Sequence, residues 1–142
     1  MIDTKTAPYA ALILRVALGT MLVAHALLKV LVFTLPGTVQ FFESLGLPSA
    51  LAYVTVGAEL LGGVLLILGV GTRWVAAALV PVLIGATWVH AGNGWLFSAP
   101  NGGWEYPAFW TVTLIVQALL GDGAYALGNR IAGRPASRLQ AA

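Results

Sequence analysis

The 142-residue sequence has no cysteine and few charged residues, and both shortages restrict what the protein can be. Without cysteine, the sequence offers no disulfide, CxxC redox motif, thiolate metal site, iron–sulfur cluster or covalent haem attachment. Charged residues make up 8% of the sequence, whereas a typical soluble domain has about 25%. So few charges cannot cover a globular domain with a polar surface, and a net charge of +2 is too small and too scattered for a nucleic-acid partner.

The sequence is instead rich in apolar residues, with 59% hydrophobic residues and a mean hydropathy of +0.90. Four apolar segments, residues 9–33, 49–68, 73–90 and 107–127, each approach the ~20 residues that a helix needs to cross a bilayer. None shows the alternation of a barrel strand. We therefore expect an all-α integral membrane protein whose surroundings are the lipid bilayer. Residues 1–142 are expected to form one domain, an antiparallel four-helix bundle.

The basic residues predict how this bundle is oriented. One end of the predicted bundle carries the basic residues Lys5, Arg73, Arg130, Arg134 and Arg138. The other end carries the acidic residues Glu43 and Glu105. The positive-inside rule then places both termini in the cytoplasm, with residues 128–142 as a basic tail near anionic head groups. On the opposite surface, residues 37–45 are expected to form a short interfacial helix, although a plain connector with aromatic anchors is an equally acceptable interpretation.

Glu59 is a carboxylate near the middle of the second apolar segment. A charge at that depth is costly unless it is paired or solvated, so it marks either a site or a structural ion pair. One face of helix one carries, at spacings of three and four residues, Arg15, Leu18, Leu22, His25 and Lys29. We expect this face to point into the bundle, except that the side chain of Lys29 is expected to extend to the outer membrane surface.

Counting about 1.5 Å per residue from the predicted helix ends assigns a depth to each polar group. From the outer surface inwards, the count orders Lys29 and Glu105, then His25 and His90, then Glu59 and Gln117, with Arg15 beneath them. This order predicts a polar path that opens outwards, with Arg15 as the counter-ion of Glu59. A purely structural Arg15–Glu59 pair is at least as good an interpretation for Arg15 itself. A metal site built from the two histidines and a carboxylate is a minor alternative, because the motif spacing is missing.

Two aromatic-rich features lie near the predicted mouth of this path. Trp88 suits the aromatic belt at the membrane surface. The loop 91–106 is rich in glycine, asparagine and tryptophan, and it either folds over the mouth as a lid or lies on the membrane surface as a connector. Composition slightly favours the connector.

In their order and spacing, several short motifs together resemble one known family. They are Arg15; His25 and Lys29; residues 41–48; Glu59 with Gly62, Gly63, Leu65, Leu66 and Gly69; Thr72 and Arg73; residues 102–107; and residues 121–123. From Leu14 to about Leu127 the sequence is similar to the DoxX family of small four-helix bacterial membrane proteins. Ala26 departs from the family pattern, which often has glycine there, and should affect packing at the mouth more than chemistry.

The resemblance implies a location in the bacterial plasma (inner) membrane and a link to redox chemistry. The family takes its name from a subunit of an archaeal thiosulfate:quinone oxidoreductase, and other members accompany redox-stress and quinone-detoxification enzymes. Our leading hypothesis is thus a membrane subunit of an oxidoreductase that handles a quinone or a similar lipophilic substrate. Since no motif for an electron-carrying cofactor is evident, electrons would come from a partner enzyme or from the substrate itself.

The hypothesis assigns catalytic roles to Glu59, His25 and Arg15, and it assigns no metal. The predicted substrate-binding residues are His90, Lys29, Glu105, Tyr106, Gln117 and Trp88. Two other kinds of function are alternatives to the oxidoreductase hypothesis. The first is a non-catalytic anchor or assembly subunit for a redox enzyme. The second is a carrier of a small molecule or proton, for which four helices suffice only as a homo-oligomer.

Overall fold

The structure is a computed structural model that describes residues 3–131, except for the side chain of Arg130. The helices are α1 (Ala7–Leu27), α2 (Leu35–Ser44), α3 (Ser49–Leu68), α4 (Thr72–His90), α5 (Glu105–Leu120) and α6 (Leu127–Ile131). A π-helical turn, Leu28–Val32, continues α1, and a 3-10 turn, Ala91–Asn93, continues α4. Residues 3–131 contain no strand, so the all-α prediction is confirmed. Arg134 and Arg138 of the predicted tail lie outside the described residues.

Three helical stretches are long and apolar enough to cross a membrane. They are Ala7–Val32 with 26 residues, Ser49–Leu68 with 20, and Thr72–Asn93 with 22. The prediction of a membrane protein is thereby confirmed. Helix α5 has 16 residues, or about 24 Å, which is shorter than the ~30 Å hydrocarbon core of a bilayer. A fourth crossing therefore stays a prediction.

The long helices pack as two pairs around one apolar core. Helix α1 lies mainly against α3 and α4 mainly against α5, while smaller contacts join α3 to α4 and α1 to α5. The buried core residues are Leu18, Leu22, Leu66, Ala76, Leu79, Leu83, Trp110 and Leu114. Large apolar side chains also cover the outer faces, for example Ile13, Leu61, Trp74 and Phe109. Soluble monomers rarely expose so much apolar surface to water, so these outer faces are suited to contact with lipid.

The α1–α3 pair depends on two glycines that face each other. A Cβ atom added to Gly63 would lie 2.8 Å from the backbone oxygen of Gly19, and one added to Gly19 would lie 2.5 Å from the backbone oxygen of Gly63. Real Cβ atoms do not come this close to backbone, so only glycine permits this helix spacing. Small residues at such crossings let membrane helices approach closely.

The two ends of the helices differ in what they carry. One end, called the terminal end below, carries the start of α1, the α3–α4 turn and the segment that follows α5. These parts are tied together by Ala124 N donating to Pro8 O (2.8 Å) and Gly128 N donating to Gly69 O (3.0 Å). The opposite end, the loop end, carries α2 and residues 94–104.

Helix α5 ends at Leu120, well before the expected residue 127. Gly121 has φ of 80° and Gly123 has φ of 69°, both in the left-handed region that glycine adopts without strain. The segment after α5 turns back across the terminal end, where Asp122 Oδ1 accepts a hydrogen bond from Thr72 N (3.0 Å). The turn therefore replaces the last helical turns that the apolar pattern predicted.

Candidate functional site

A cavity of about 480 Å³ lies at the loop end between α1, α2, α3, α4 and α5. Its polar lining residues are His25, Lys29, Thr55, Glu59, His90, Tyr106 and Trp110. The remaining wall is mostly aliphatic or aromatic, with Phe41, Phe42, Leu45, Leu47, Leu51, Val54, Val82, Leu83, Trp88 and Val89. Cavities that bind small organic molecules have this size and this mixture of apolar wall and few polar groups.

A bidentate ion pair joins Lys29 to Glu59 on the cavity wall. Lys29 Nζ donates to Glu59 Oε1 at 2.8 Å and to Oε2 at 2.7 Å. The Glu59 side chain is 8% exposed and that of Lys29 is 19% exposed, so water screens the pair only weakly. A ligand in this cavity would meet a fixed ammonium donor and a fixed carboxylate acceptor side by side.

The π-helical turn after α1 holds Lys29 in this position. Within the turn, Phe33 N donates to Leu28 O (3.0 Å), one residue further along than in an α-helix. Thr38 of α2 is buried, and its hydroxyl donates to Lys29 O at 3.0 Å. Single π-turns inside α-helices often occur at functional sites, because they alter the direction of neighbouring side chains. The backbone of Lys29 is thus tied to α2, which forms another wall of the cavity.

Backbone contacts assign the tautomer of both cavity histidines. His25 Nδ1 lies 2.9 Å from Met21 O, and His90 Nδ1 lies 3.0 Å from Gly102 O. A carbonyl oxygen only accepts, so each Nδ1 carries hydrogen and each neutral ring keeps Nε2 unprotonated. Among the described residues neither Nε2 makes a hydrogen bond. Two imidazole nitrogens are therefore available to accept or deliver a proton.

Three aromatic rings pack together on the α1–α5 side of the cavity. The His25 ring lies edge-on to Trp110, with centroids 4.8 Å apart, and is stacked near Tyr106 at 6.1 Å. Trp110 is 4% exposed, and its Nε1 has no hydrogen-bond partner within residues 3–131. A buried indole N–H usually finds an acceptor. This aromatic cluster offers both a flat apolar surface and an unused donor.

The segment between α4 and α5 is folded by its own backbone contacts. Trp104 N donates to Gly94 O and Glu105 N donates to Trp95 O, each at 3.1 Å. His90 and Asn93 both bind the carbonyl groups of Asn101 and Gly102. His90 thus both lines the cavity and anchors this segment.

The structure corrects the predicted partner of Glu59. Arg15 Nη1 donates to Leu66 O at 3.0 Å and to Ile67 O at 2.5 Å, while Nη2 donates to Ala124 O at 2.9 Å. The predicted Arg15–Glu59 pair is therefore wrong, and Arg15 instead binds carbonyl groups at the terminal end. Because Cα–Cβ bonds tilt towards the N-terminus of a helix, Arg15 extends away from the membrane centre.

The same tilt explains the correction for Lys29. Its side chain points back along α1 towards the membrane centre, whereas Glu59 on the antiparallel α3 points towards the loop end. The two side chains meet between these positions. The expectation that Lys29 extends to the outer surface is therefore wrong.

Of the nine residues predicted for the site, six lie on the cavity wall: His25, Lys29, Glu59, Trp88, His90 and Tyr106. The other three are elsewhere. Arg15 is at the terminal end, and Gln117 Nε2 donates to Gly121 O (2.7 Å), also at that end. Glu105 Oε1 accepts from Phe97 N (2.9 Å) within the α4–α5 segment. The depth count placed Gln117 level with Glu59, but α5 ends at Leu120, so Gln117 lies in the last turn of that helix. For Arg15 and Glu105 the count gave no side-chain direction.

Sequence reasoning missed Trp110 and Thr38 as part of the site. Trp110 is not among the predicted site residues, although its spacing of four residues from Tyr106 is a usable signal. The hydrogen bond of Thr38 to Lys29 O depends on the π-turn, for which the sequence has no local signal. As for the metal alternative, residues 3–131 contain no group of three His, Asp or Glu side chains arranged to hold a metal ion.

The fold and the cavity define a small helical membrane protein with an ion pair in an apolar pocket at one end. The chain belongs to the DoxX family, whose profile matches residues 10–92. It is 44% identical over 82 residues to a Bacillus subtilis protein named "Putative oxidoreductase CatD", covering 58% of this chain and 60% of that protein. It is also 35% identical over 81 residues to an uncharacterized Haemophilus influenzae protein, covering 56% of this chain and 52% of the relative.

These matches cover little more than half of each relative's length. The matched family region, residues 10–92, includes α1 to α4 and therefore Lys29, Glu59, His25 and His90. No solved structure is significantly similar to the chain.

Proposed function

We propose that this protein is a membrane subunit of a redox system and that it binds a quinone, or a similar lipophilic molecule, in the loop-end cavity. The observation that carries the proposal is the Lys29–Glu59 pair, which lies almost out of water on the wall of a largely apolar cavity. Ionisable groups at membrane depth usually mark a ligand or proton path. The Bacillus subtilis relative named as an oxidoreductase supports the redox assignment.

The polar groups of the cavity match the needs of a quinone head group. Its carbonyl oxygens need a hydrogen-bond donor, which Lys29 Nζ supplies. Its ring needs a flat apolar surface, which the Tyr106 and His25 rings supply. Reduction of a quinone to a quinol consumes two electrons and two protons. The electrons come from a partner redox enzyme in this proposal.

The protons can pass through three groups on the cavity wall. The Nε2 atoms of His25 and His90 are free to take up and release protons. Glu59 is the third group, because a ligand that draws Lys29 away from it would leave the carboxylate ready to accept a proton. In this account Arg15 is a structural residue, since its hydrogen bonds all lie at the terminal end.

We further propose that α1, α3, α4 and α5 form a four-helix bundle in the bacterial plasma membrane, with the terminal end in the cytoplasm. The basic residues support this orientation, because Lys5 and Arg73 lie at the terminal end. The cavity would then open on the outer side. The short helix α5 would cross with the help of its flanking segments.

Quantifying the quinone bound to the purified protein tests the proposal. The protein would be isolated in mild detergent, and its extracted lipids analysed for quinone, for wild type, Glu59→Gln and the matched control Glu43→Gln. Glu43 is exposed on α2 and does not line the cavity. We expect bound quinone in wild type and control and a loss of at least about tenfold in Glu59→Gln. Absence of quinone from wild type, or equal quinone content in wild type and Glu59→Gln, would contradict the proposal.

A second candidate function is a non-catalytic anchor for a redox enzyme. It is favoured by one observation: Lys29 and Glu59 satisfy each other with two short hydrogen bonds, as a purely structural clamp between α1 and α3 would. In that case a soluble partner should co-purify with wild type and with Glu59→Gln alike. Quinone content would then be the same in both.

A further inference from the structure

Helices α3 and α4 touch at Gly62 and Leu79, and part of the cavity lies between them at the loop end. They are joined by the tight turn at residues 69–71, and an added Cβ atom on Gly62 would lie 2.8 Å from Leu79 Cδ1. Six residues further along α4, an added Cβ atom on Gly85 would have no atom within 4 Å. Pro81 lies between these two levels and on the cavity wall. At the loop end, the space between α3 and α4 belongs to the cavity, because residues of both helices line it.

The residues at this gap belong to two surfaces at once. Leu51 and Val54 of α3 and Trp88 of α4 line the cavity. They are also 41%, 62% and 61% exposed. Val54 and Gly85 each lie five residues from the loop-end limit of their helix, or about 8 Å inside the span. Largely exposed apolar side chains of α3 and α4 thus form part of the cavity wall.

On the aqueous side the cavity is lined by apolar side chains. Helix α2 supplies Phe41, Phe42 and Leu45 to the wall nearest the membrane surface, and Thr38 ties this helix to Lys29 O. A water-soluble ligand would have to pass these apolar side chains. A lipid-soluble ligand can pass between α3 and α4 without leaving the hydrocarbon.

We propose that the gap between α3 and α4 is a lateral opening, and that the natural ligand is an amphiphile with a hydrocarbon tail. In the bound state the head group lies at Lys29 and Glu59, and the tail lies in the gap beside Val54, Gly85 and Trp88. The ligand class rests on the proposed function, whereas the opening itself does not. Gly85 is then a selectivity residue, because any larger side chain at this position narrows the path of the tail.

Lipids with brominated chains test the opening without any quinone. Trp110 would be kept as the single tryptophan by changing Trp74, Trp88, Trp95 and Trp104 to phenylalanine. Trp110 is buried in the protein but lines the cavity, so brominated chains that enter the gap should quench its fluorescence. We expect quenching that Gly85→Leu reduces by half or more. The matched control is Gly57→Leu, because Gly57 is also exposed, also has open space around an added Cβ atom and does not line the cavity.

A pair of quinones with and without a long tail tests the ligand class. We expect Gly85→Leu to weaken binding of the tailed quinone by about tenfold, or 1.4 kcal/mol, and to leave binding of the tailless quinone unchanged. The Gly57→Leu variant should bind both quinones as wild type does. Equal quenching in Gly85→Leu and Gly57→Leu, with no selective loss of the tailed quinone, would overturn the lateral opening while leaving quinone binding intact. If wild type binds neither quinone but Gly85→Leu still reduces quenching, the proposed function fails and the opening stands.

Discussion

Lys29 and Glu59 meet because of the direction in which side chains leave antiparallel helices. Each Cα–Cβ bond tilts towards the N-terminus of its own helix, so Lys29 on α1 and Glu59 on α3 point towards each other along the membrane normal. Arg15 obeys the same rule and points to the terminal end. The same geometric rule therefore explains why Lys29 pairs with Glu59 in the cavity and why Arg15 binds backbone carbonyl groups instead.

Replacing Lys29 by methionine should destabilise the protein. The substitution keeps the length of the apolar stem but leaves the 8%-exposed Glu59 side chain without a partner. Breaking a buried pair in this way costs about 3 kcal/mol. Thermal unfolding in detergent would measure it, with the exposed Lys5→Met as the matched control. The double variant Lys29→Met/Glu59→Leu should recover most of the loss, and a single variant as stable as wild type would refute the pair's contribution.

Arginine at position 15 should not be replaceable by lysine. The guanidinium donates to Leu66 O, Ile67 O and Ala124 O at once, and a lysine ammonium cannot reproduce that fork. We expect Arg15→Lys to lower the free energy of unfolding by about 2 kcal/mol. Quinone binding per folded molecule should be unchanged. If the variant unfolds like wild type but no longer binds quinone, Arg15 contributes to ligand binding and the structural role assigned to it is wrong.

Helix α3 is the element on which the site depends, because it contacts both α1 and α4. Gly63 sets the spacing to α1, Gly62 touches Leu79 of α4, and Glu59 receives Lys29. The close approach at the glycines brings α1 near enough for the ion pair to form. At the loop end, part of the cavity lies between α3 and α4.

Gly63→Ala should disrupt this element far more than Gly57→Ala. The added methyl group at residue 63 meets the Gly19 backbone oxygen at 2.8 Å, whereas the one at residue 57 meets nothing within 4 Å. Overpacking of this kind typically costs about 1–3 kcal/mol. Thermal unfolding of the two variants side by side would measure the difference. If both variants unfold at the same temperature, the two glycines do not set the α1–α3 spacing.

At the scale of the helices, the sequence predicts local features such as helix ends well and tertiary contacts between helices poorly. Apolar runs bounded by Gly46, Pro48 and Gly69 locate α3 closely, because helix length and end signals are local properties. The π-turn at Lys29 and the hydrogen bond from Thr38 to Lys29 O are not encoded by any local pattern. The choice between Lys29 and Arg15 as the partner of Glu59 also needed side-chain directions on packed helices. Depth counting alone could not supply them.

At the scale of the whole molecule, the orientation in the membrane decides which side the cavity faces. The chain has no cysteine, so single-cysteine variants report cleanly on exposure. Ser98 at the loop end and Thr4 and Tyr125 at the terminal end are all exposed and suit the purpose.

Labelling of intact cells with a membrane-impermeant maleimide should modify Ser98→Cys and leave Thr4→Cys and Tyr125→Cys unmodified. The positive-inside bias gives the physical reason for this pattern. Disruption of the cells should make all three reactive. Labelling of Tyr125→Cys together with Ser98→Cys would show that α5 does not cross the membrane, and a fully reversed pattern would place the cavity on the cytoplasmic side.

The most direct measurement of the central claim is a titration of the single-Trp110 protein with a short-tailed quinone, followed by tryptophan fluorescence. Trp110 is buried on the cavity wall, so a quinone bound beside Lys29 and Glu59 should quench it. We predict saturable quenching with one site per chain, at least about tenfold weaker in Glu59→Gln and unchanged in Glu43→Gln. Quenching that rises without saturation and is identical in all three proteins would mean that the quinone only partitions into the lipid, and would contradict the claim.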